Sequence, residues 1–145
     1  MLRAINSQKE VSTKLTKGLL DLIILQFVGT QPMHGYQIIT KIRKNFGVYF
    51  GPSTVYPLLN TLEKKGFVKS EWNMNSERPR KVYSLTSNGR SMLSFTEDSL
   101  NMICRKITFQ TNPELKMETP AHSAVALIAK KAGNEPADHL SLQIG

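Results

Sequence analysis

The sequence predicts a mainly α chain with a small β-hairpin, an α+β fold, and three observations carry that reading. Apolar residues recur at helical spacing through most of residues 15–107. One stretch, residues 67–85, is instead β-branched and aromatic on both sides of a polar turn. Gly29, Gly47 and Gly66 each stand where a helical pattern runs out.

The elements follow in order. Residues 1–14, MLRAINSQKEVSTK, are polar and basic without a sustained period and read as a flexible basic arm. Residues 15–28 are so rich in Leu and Ile that one helix, covered nearly all round, is expected there. Gly29 stops it, and Gln31-Pro32 make the turn. In HGYQIITKIRKNFG, Tyr36, Ile39, Ile42 and Phe46 mark a buried stripe, with Gln37, Thr40, Lys41 and Lys44 outward and Gly47 as the stop.

The next helix places Val55, Leu58, Leu59 and Leu62 on one side and Ser53, Tyr56, Asn60 and Lys64 on the other. Pro57 fits a helix best within its first turn, so the regular helix is expected over 54–65 with Thr54 as N-cap. An earlier start with a local distortion is the alternative. Residues 67–73 and 80–85 read as two strands around NMNSERP, with Trp72 as a packing residue of the wing or core.

Thr86-Ser87-Asn88-Gly89 can cap a last helix running to about Ile107. Leu93, Thr96, Leu100, Ile103 and Ile107 form a heptad seam on it, and Met92, Phe95 and Met102 form a second apolar face. Such a helix packs on its own domain and on another chain, or presents one wide intramolecular face. Beyond Phe109, Pro113, Pro120 and Pro136 interrupt a linker-like tail around one apolar island, residues 123–133, a candidate helix stopped by Gly133.

Charge narrows the partner. Nineteen Lys and Arg face eleven Asp and Glu over 145 residues, a net +8, and the excess lies before residue 109. Such a domain suits a polyanion, nucleic acid or an anionic membrane surface, unless the cations are simply solvated. The apolar run 19–28 is too short to span a bilayer and holds Asp21, and no cleavage site follows it, so a cytoplasmic protein without a membrane partner is expected. Cys104 is the only cysteine, which excludes a disulfide within one chain and fits a reducing compartment. His34, His122 and His139 are scattered, with no Cys pair, His-Glu helix motif or Gly-rich phosphate loop. No catalytic site, metal or cofactor is expected.

Two helices, a short connector, a third helix, a hairpin and a long helix make the order of a winged helix-turn-helix. In that arrangement the helix 54–65 reads DNA and the wing spans 73–81. The candidate DNA contacts are Ser53, Thr54, Tyr56, Asn60 and Lys64 on the helix, with Arg78, Arg80 and Lys81 on the wing. Lys41 adds a second basic cluster with Arg43 and Lys44, and His34 and Tyr36 are further candidates, each balanced against a capping or packing role.

The runs LDLIILQFVGTQPMHGYQIITKI, STVYPLLNTLEKKGFV and RPRKVYSLTSNGRSML, within residues 15–108, resemble the PadR family of transcriptional regulators. Pro32, His34, Gly35 and Tyr36 match its Pro-x-His-Gly-Tyr motif, and Thr54, Tyr56 and Pro57 match its Gly-Thr-Leu-Tyr-Pro box. Pro79, Lys81, Tyr83, Leu85, Thr86 and Gly89 match the rest. Ser53 stands where the family usually has glycine and Val55 where it has leucine; the Ser53 hydroxyl is able to alter base preference.

The resemblance implies a homodimer joined through the C-terminal helix, binding operator DNA and in many members repressing transcription. Some members release DNA when a small aromatic or drug-like molecule binds. The expected organisation is an arm over 1–14, a winged-helix domain over 15–86, a dimerisation helix over 87–109 and a tail of unknown role over 110–145. The dimer contact would be the Leu93, Thr96, Leu100, Ile103 and Ile107 seam on a palindromic operator. Two other readings use the same elements: a DNA-coating or partition protein, and a protein-interaction module that does not bind DNA.

Overall fold

A computed structural model describes residues 1–111. The helices are α1 (Leu2–Gly18), α2 (Leu20–Thr30), α3 (Gly35–Phe46), α4 (Pro52–Lys64) and α5 (Ser87–Thr111), and the strands are β1 (Met33–His34), β2 (Val68–Asn73) and β3 (Arg80–Leu85). The chain divides into two compact units, the first being Met1–Glu97. The apolar island 123–133, its expected helix and the rest of the tail from 112 onward lie outside the described residues.

α2 is the centre of the first unit. Leu20, Leu22, Ile23, Ile24, Leu25, Phe27 and Val28 are all buried, as expected of a helix apolar on every side. Ile38, Ile39 and Ile42 of α3 and Val55, Leu59 and Leu62 of α4 close the core. Each such side chain contributes about 1.5–3 kcal/mol when fully buried.

Four expectations about helices need correction. The first fourteen residues are not an arm but most of α1: no proline or glycine interrupts them before Gly18, and Thr13 and Thr16 donate their hydroxyls to the carbonyls of Lys9 and Ser12. The helix expected over 15–28 is broken at Leu19, whose N–H bonds the carbonyls of both Leu15 and Thr16 in a tightened turn after Gly18. α4 begins at Pro52, with Gly51 and not Thr54 as N-cap, so Pro57 lies inside the helix. Pro52 at the first position needs no N–H partner and starts the helix early, which is the alternative the sequence left open. Finally, Tyr36 is not on the buried stripe of α3 but 68% exposed.

β2 and β3 pair antiparallel from Val68↔Leu85 to Asn73↔Arg80, close to the expected hairpin. A third strand is added by β1, with Met33↔Tyr83 and His34↔Val82, so β3 is central in the order β1-β3-β2. Alternation sends Val68, Ser70, Lys81 and Tyr83 to the side facing the core and His34, Arg80 and Val82 to the other. Trp72 shares the inner side but sits past the last core layer, 63% exposed, and is no packing residue of this domain.

Thr86 joins the hairpin to α5. Its hydroxyl donates to the Gly66 carbonyl at 2.6 Å and accepts the Gly89 N–H at 2.9 Å, and its own N–H bonds the Phe67 carbonyl.

Candidate nucleic-acid interface

The outward face of α4 forms because its buried face is fixed by Val55, Leu59 and Leu62. Ser53, Asn60 and Lys64 are thereby exposed, and Thr54 is half-buried in the first turn. Pro57 has no N–H, so the Ser53 carbonyl lacks its usual helical partner on this same face.

Tyr56 is the hinge of the site. Its ring rests on Gly35, where a Cβ would stand 2.5–2.7 Å from the ring edge and hydroxyl. Only glycine permits this approach. The residues matching the Pro-x-His-Gly-Tyr motif and the Gly-Thr-Leu-Tyr-Pro box thus meet in space.

His34 binds in two directions. It caps α3: its Nδ1 accepts the Gln37 N–H at 3.3 Å, while Gln37 Oε1 accepts the His34 N–H at 3.0 Å. On its other side, Nε2 lies 3.0 Å from Nη1 of Arg80, brought there by the β1–β3 pairing. A neutral imidazole has one lone-pair nitrogen, and a guanidinium only donates. Gln37 and Arg80 therefore compete for one acceptor. Burial first, and then the Arg80 charge, hold the ring below its ordinary value of 6.5.

Arg80 and Lys81, adjacent in sequence, lie on opposite faces of β3. The ammonium of Lys81 sits 3.3 Å from Glu63 of α4 and over the Tyr83 ring. Glu63 also accepts the Ser70 hydroxyl. That bond, followed by Lys81, keeps its carboxyl below the ordinary carboxylate value despite some burial. The knot of Glu63, Ser70 and Lys81 ties α4 to the hairpin, and Lys81 already has an anionic partner. Arg78 is exposed in the turn, where Asn73 Oδ1 accepts the Asn75 N–H.

Lys41 is half-buried, with its ammonium 4.8 Å from the centroid of Phe27. Tyr36, Thr40 and Arg43 form the exposed stripe of α3 instead, and with Tyr49 they line an open trough beside α4. Sequence reasoning named Arg43 only as a neighbour of Lys41 in the second basic cluster and passed over Tyr49; the spacing of Tyr36, Thr40 and Arg43 by four and three was the signal available.

On α5, Leu93 is half-buried beside Gly29 of α2, and Gln26 donates to Glu97 at 3.2 Å. Thr96 and Leu100 are half-buried, and Ile103 and Ile107 are exposed. Among the described residues no group of three or more His, Cys, Asp or Glu could hold a metal, and no helix is long and apolar enough to cross a membrane.

The family model for PadR-like transcriptional regulators matches residues 24–94. The transcriptional regulator Rv3488 of Mycobacterium tuberculosis is 30% identical over 86 residues, 59% of this chain and 79% of the relative. The chain belongs to the PadR-like family. A PadR family transcriptional regulator from Eggerthella lenta shares the fold with a TM-score of 0.69 at 24% identity, covering 77% of this chain and 98% of that one. A PadR family transcription regulator from Clostridium difficile gives 0.57 at 26% identity, over 64% and 97%. The winged helix assembled above is therefore that of a PadR-like transcriptional regulator.

Proposed function

We propose that this PadR-like regulator is a homodimeric, sequence-specific repressor without catalytic activity, working in the cytoplasm. In this reading α4 enters the major groove, where Ser53, Thr54, Tyr56, Asn60 and Lys64 meet base edges and phosphates. Arg78 and Arg80 hold the wing on the backbone, with His34, Tyr36, Lys41 and Lys81 as further candidates from the sequence. The observation that carries it is the polar outward face of α4, exposed at Ser53, Asn60 and Lys64 and anchored by Tyr56 on Gly35.

A single winged helix reads few base pairs, so two on a two-fold axis, about 34–36 Å apart, supply specificity on a palindromic operator. Support for α5 as the joining element is the exposure of Met102 and Ile103, at 56% and 54%. A small aromatic effector, as in some members of the family, is the signal proposed for release.

A gel shift with the promoter fragment upstream of the protein's own gene tests the reading. Retardation that survives excess unrelated duplex is expected. Equal competition by any duplex would replace it with a DNA-coating role, and no retardation of any duplex would leave a protein-interaction module.

A further inference from the structure

α1 precedes the residues that match the family, and it shares one open trough with α3 and the start of α4. Its Lys9 and Thr13 form one wall of the open trough, about 830 Å³ in volume, whose other walls are α3 and the connector to α4. Two cations line it, Lys9 from α1 and Arg43 from α3, and among the described residues no carboxylate does. Thr13 and Thr40 donate their hydroxyl protons to the carbonyls of Lys9 and Tyr36. The ammonium, the guanidinium and the hydroxyls of Tyr36 and Tyr49 remain as donors. The Arg43 guanidinium is 6.0 Å from the centroid of Tyr49, which steadies it at the trough wall.

The trough also abuts the proposed DNA face. Pro52 is both part of its lining and the first residue of α4. Tyr36 follows Gly35, on which the Tyr56 ring rests. A trough that sets these donors among the apolar Ile39, Val48 and Pro52, and brings no anion among the described residues, fits a strand of sugars and acceptor-rich phosphodiesters. The volume is larger than one phosphate and open to solvent, which suits a continuous sugar-phosphate strand better than a captured ion.

We propose that Lys9 and Arg43 each grip a backbone phosphate of one duplex DNA strand in this trough, so that the N-terminal helix lengthens the DNA footprint beyond α4 and the wing. This rests on the DNA-binding reading above. It concerns affinity and not base preference, because phosphate contacts carry no sequence information directly.

The test is the salt dependence of binding by the full chain, on the promoter fragment and on an unrelated duplex. Lys9→Ala and Arg43→Ala should each reduce the slope of log K against log salt by about 0.9 on both duplexes. Arg43→Lys, which keeps the charge, should retain the wild-type slope. Lys64→Ala is the reference for the α4 contact. If Lys64→Ala flattens the slope and the two trough variants do not, the trough is no phosphate site and the DNA-binding reading stands. If the wild-type chain retards no duplex, both fall together. Loss confined to the promoter fragment would assign a base contact and overturn the inference. Titration with inorganic phosphate at fixed ionic strength separates the remaining source. Saturable shifts of Tyr36 and Tyr49 ring signals, with unchanged DNA salt slopes, would make this a free-anion site and overturn it as well.

Discussion

Tyr56 and Gly35 are locked against each other: a Cβ on residue 35 would stand 2.5 Å from Tyr56 Cε1 and 2.7 Å from its hydroxyl oxygen. Gly35→Ala must therefore push Tyr56 off its seat or shift the start of α3. Overpacking in a closed core costs about 1–3 kcal/mol, and because the Tyr56 ring is 37% exposed and can swing toward solvent the loss should fall at the low end of that range. Chemical denaturation should show that loss. Gly35→Ala combined with Tyr56→Ala should regain most of the loss attributable to the clash, a coupling that a double-mutant cycle measures. Additive effects of the two substitutions would mean that the ring does not depend on the glycine.

His34 makes stability depend on pH in a defined direction. Its folded value lies below the ordinary 6.5, so the unfolded chain takes up the proton first. The contribution is fully present above about pH 6.5 and is lost as pH falls through the lower folded value. Protonation also fills the lone pair for which Gln37 and Arg80 compete. Urea midpoints measured from pH 8 to pH 5 should fall for the wild type and fall less for His34→Asn, which keeps a capping oxygen and cannot titrate. His122 and His139 are common to both proteins and drop out of the comparison.

Arg80 and Lys81 should behave differently toward DNA, although both are basic wing residues. Arg80→Ala removes an exposed guanidinium held, among the described residues, by His34, and the salt slope should flatten by about 0.9. Lys81→Ala removes a charge already paired with Glu63, so the slope should stay near the wild-type value. The stability change from losing that half-exposed pair should be within about 1 kcal/mol. Equal flattening by both substitutions would show that Lys81 leaves Glu63 when DNA binds.

Assembly is tested on α5. Leu100→Glu together with Ile103→Glu should give a monomer whose first unit is still folded and whose operator binding is greatly weakened. Sedimentation of both proteins at micromolar concentration decides it. A wild-type monomer, or a double variant that remains dimeric, sinks the proposed interface.

The hairpin was legible because Phe67, Val68, Trp72, Val82 and Tyr83 are strand formers around a polar turn, and pairing needed only local contacts. The buried faces of α3 and α4 were legible for the same reason, at period 3.6. β1 was not, since Met33 and His34 carry no alternation and become a strand only by lying beside Tyr83 and Val82. The arm was misread because a helix exposed on most sides has no apolar stripe to betray it. In the candidate interface, the outward face of α4 could be read from spacing alone. The seat of Tyr56 on Gly35 and the meeting of His34 with Arg80 could not, because the backbone brings together residues far apart in sequence.

The junction at Thr86 has a genetic consequence. Gly89 lies in the first turn of α5, and a Cβ there would land on the Phe67 carbonyl oxygen, with Leu85 also in the way. Backbone cannot yield as a flexible side chain does. Every missense change of this codon adds at least a Cβ, so alanine and serine should fail along with the bulky residues. A screen for loss-of-function alleles should thus return position 89 repeatedly, although it lies off the proposed DNA face. Exposed neighbours such as Ser87 and Asn88 should drift freely in the same screen.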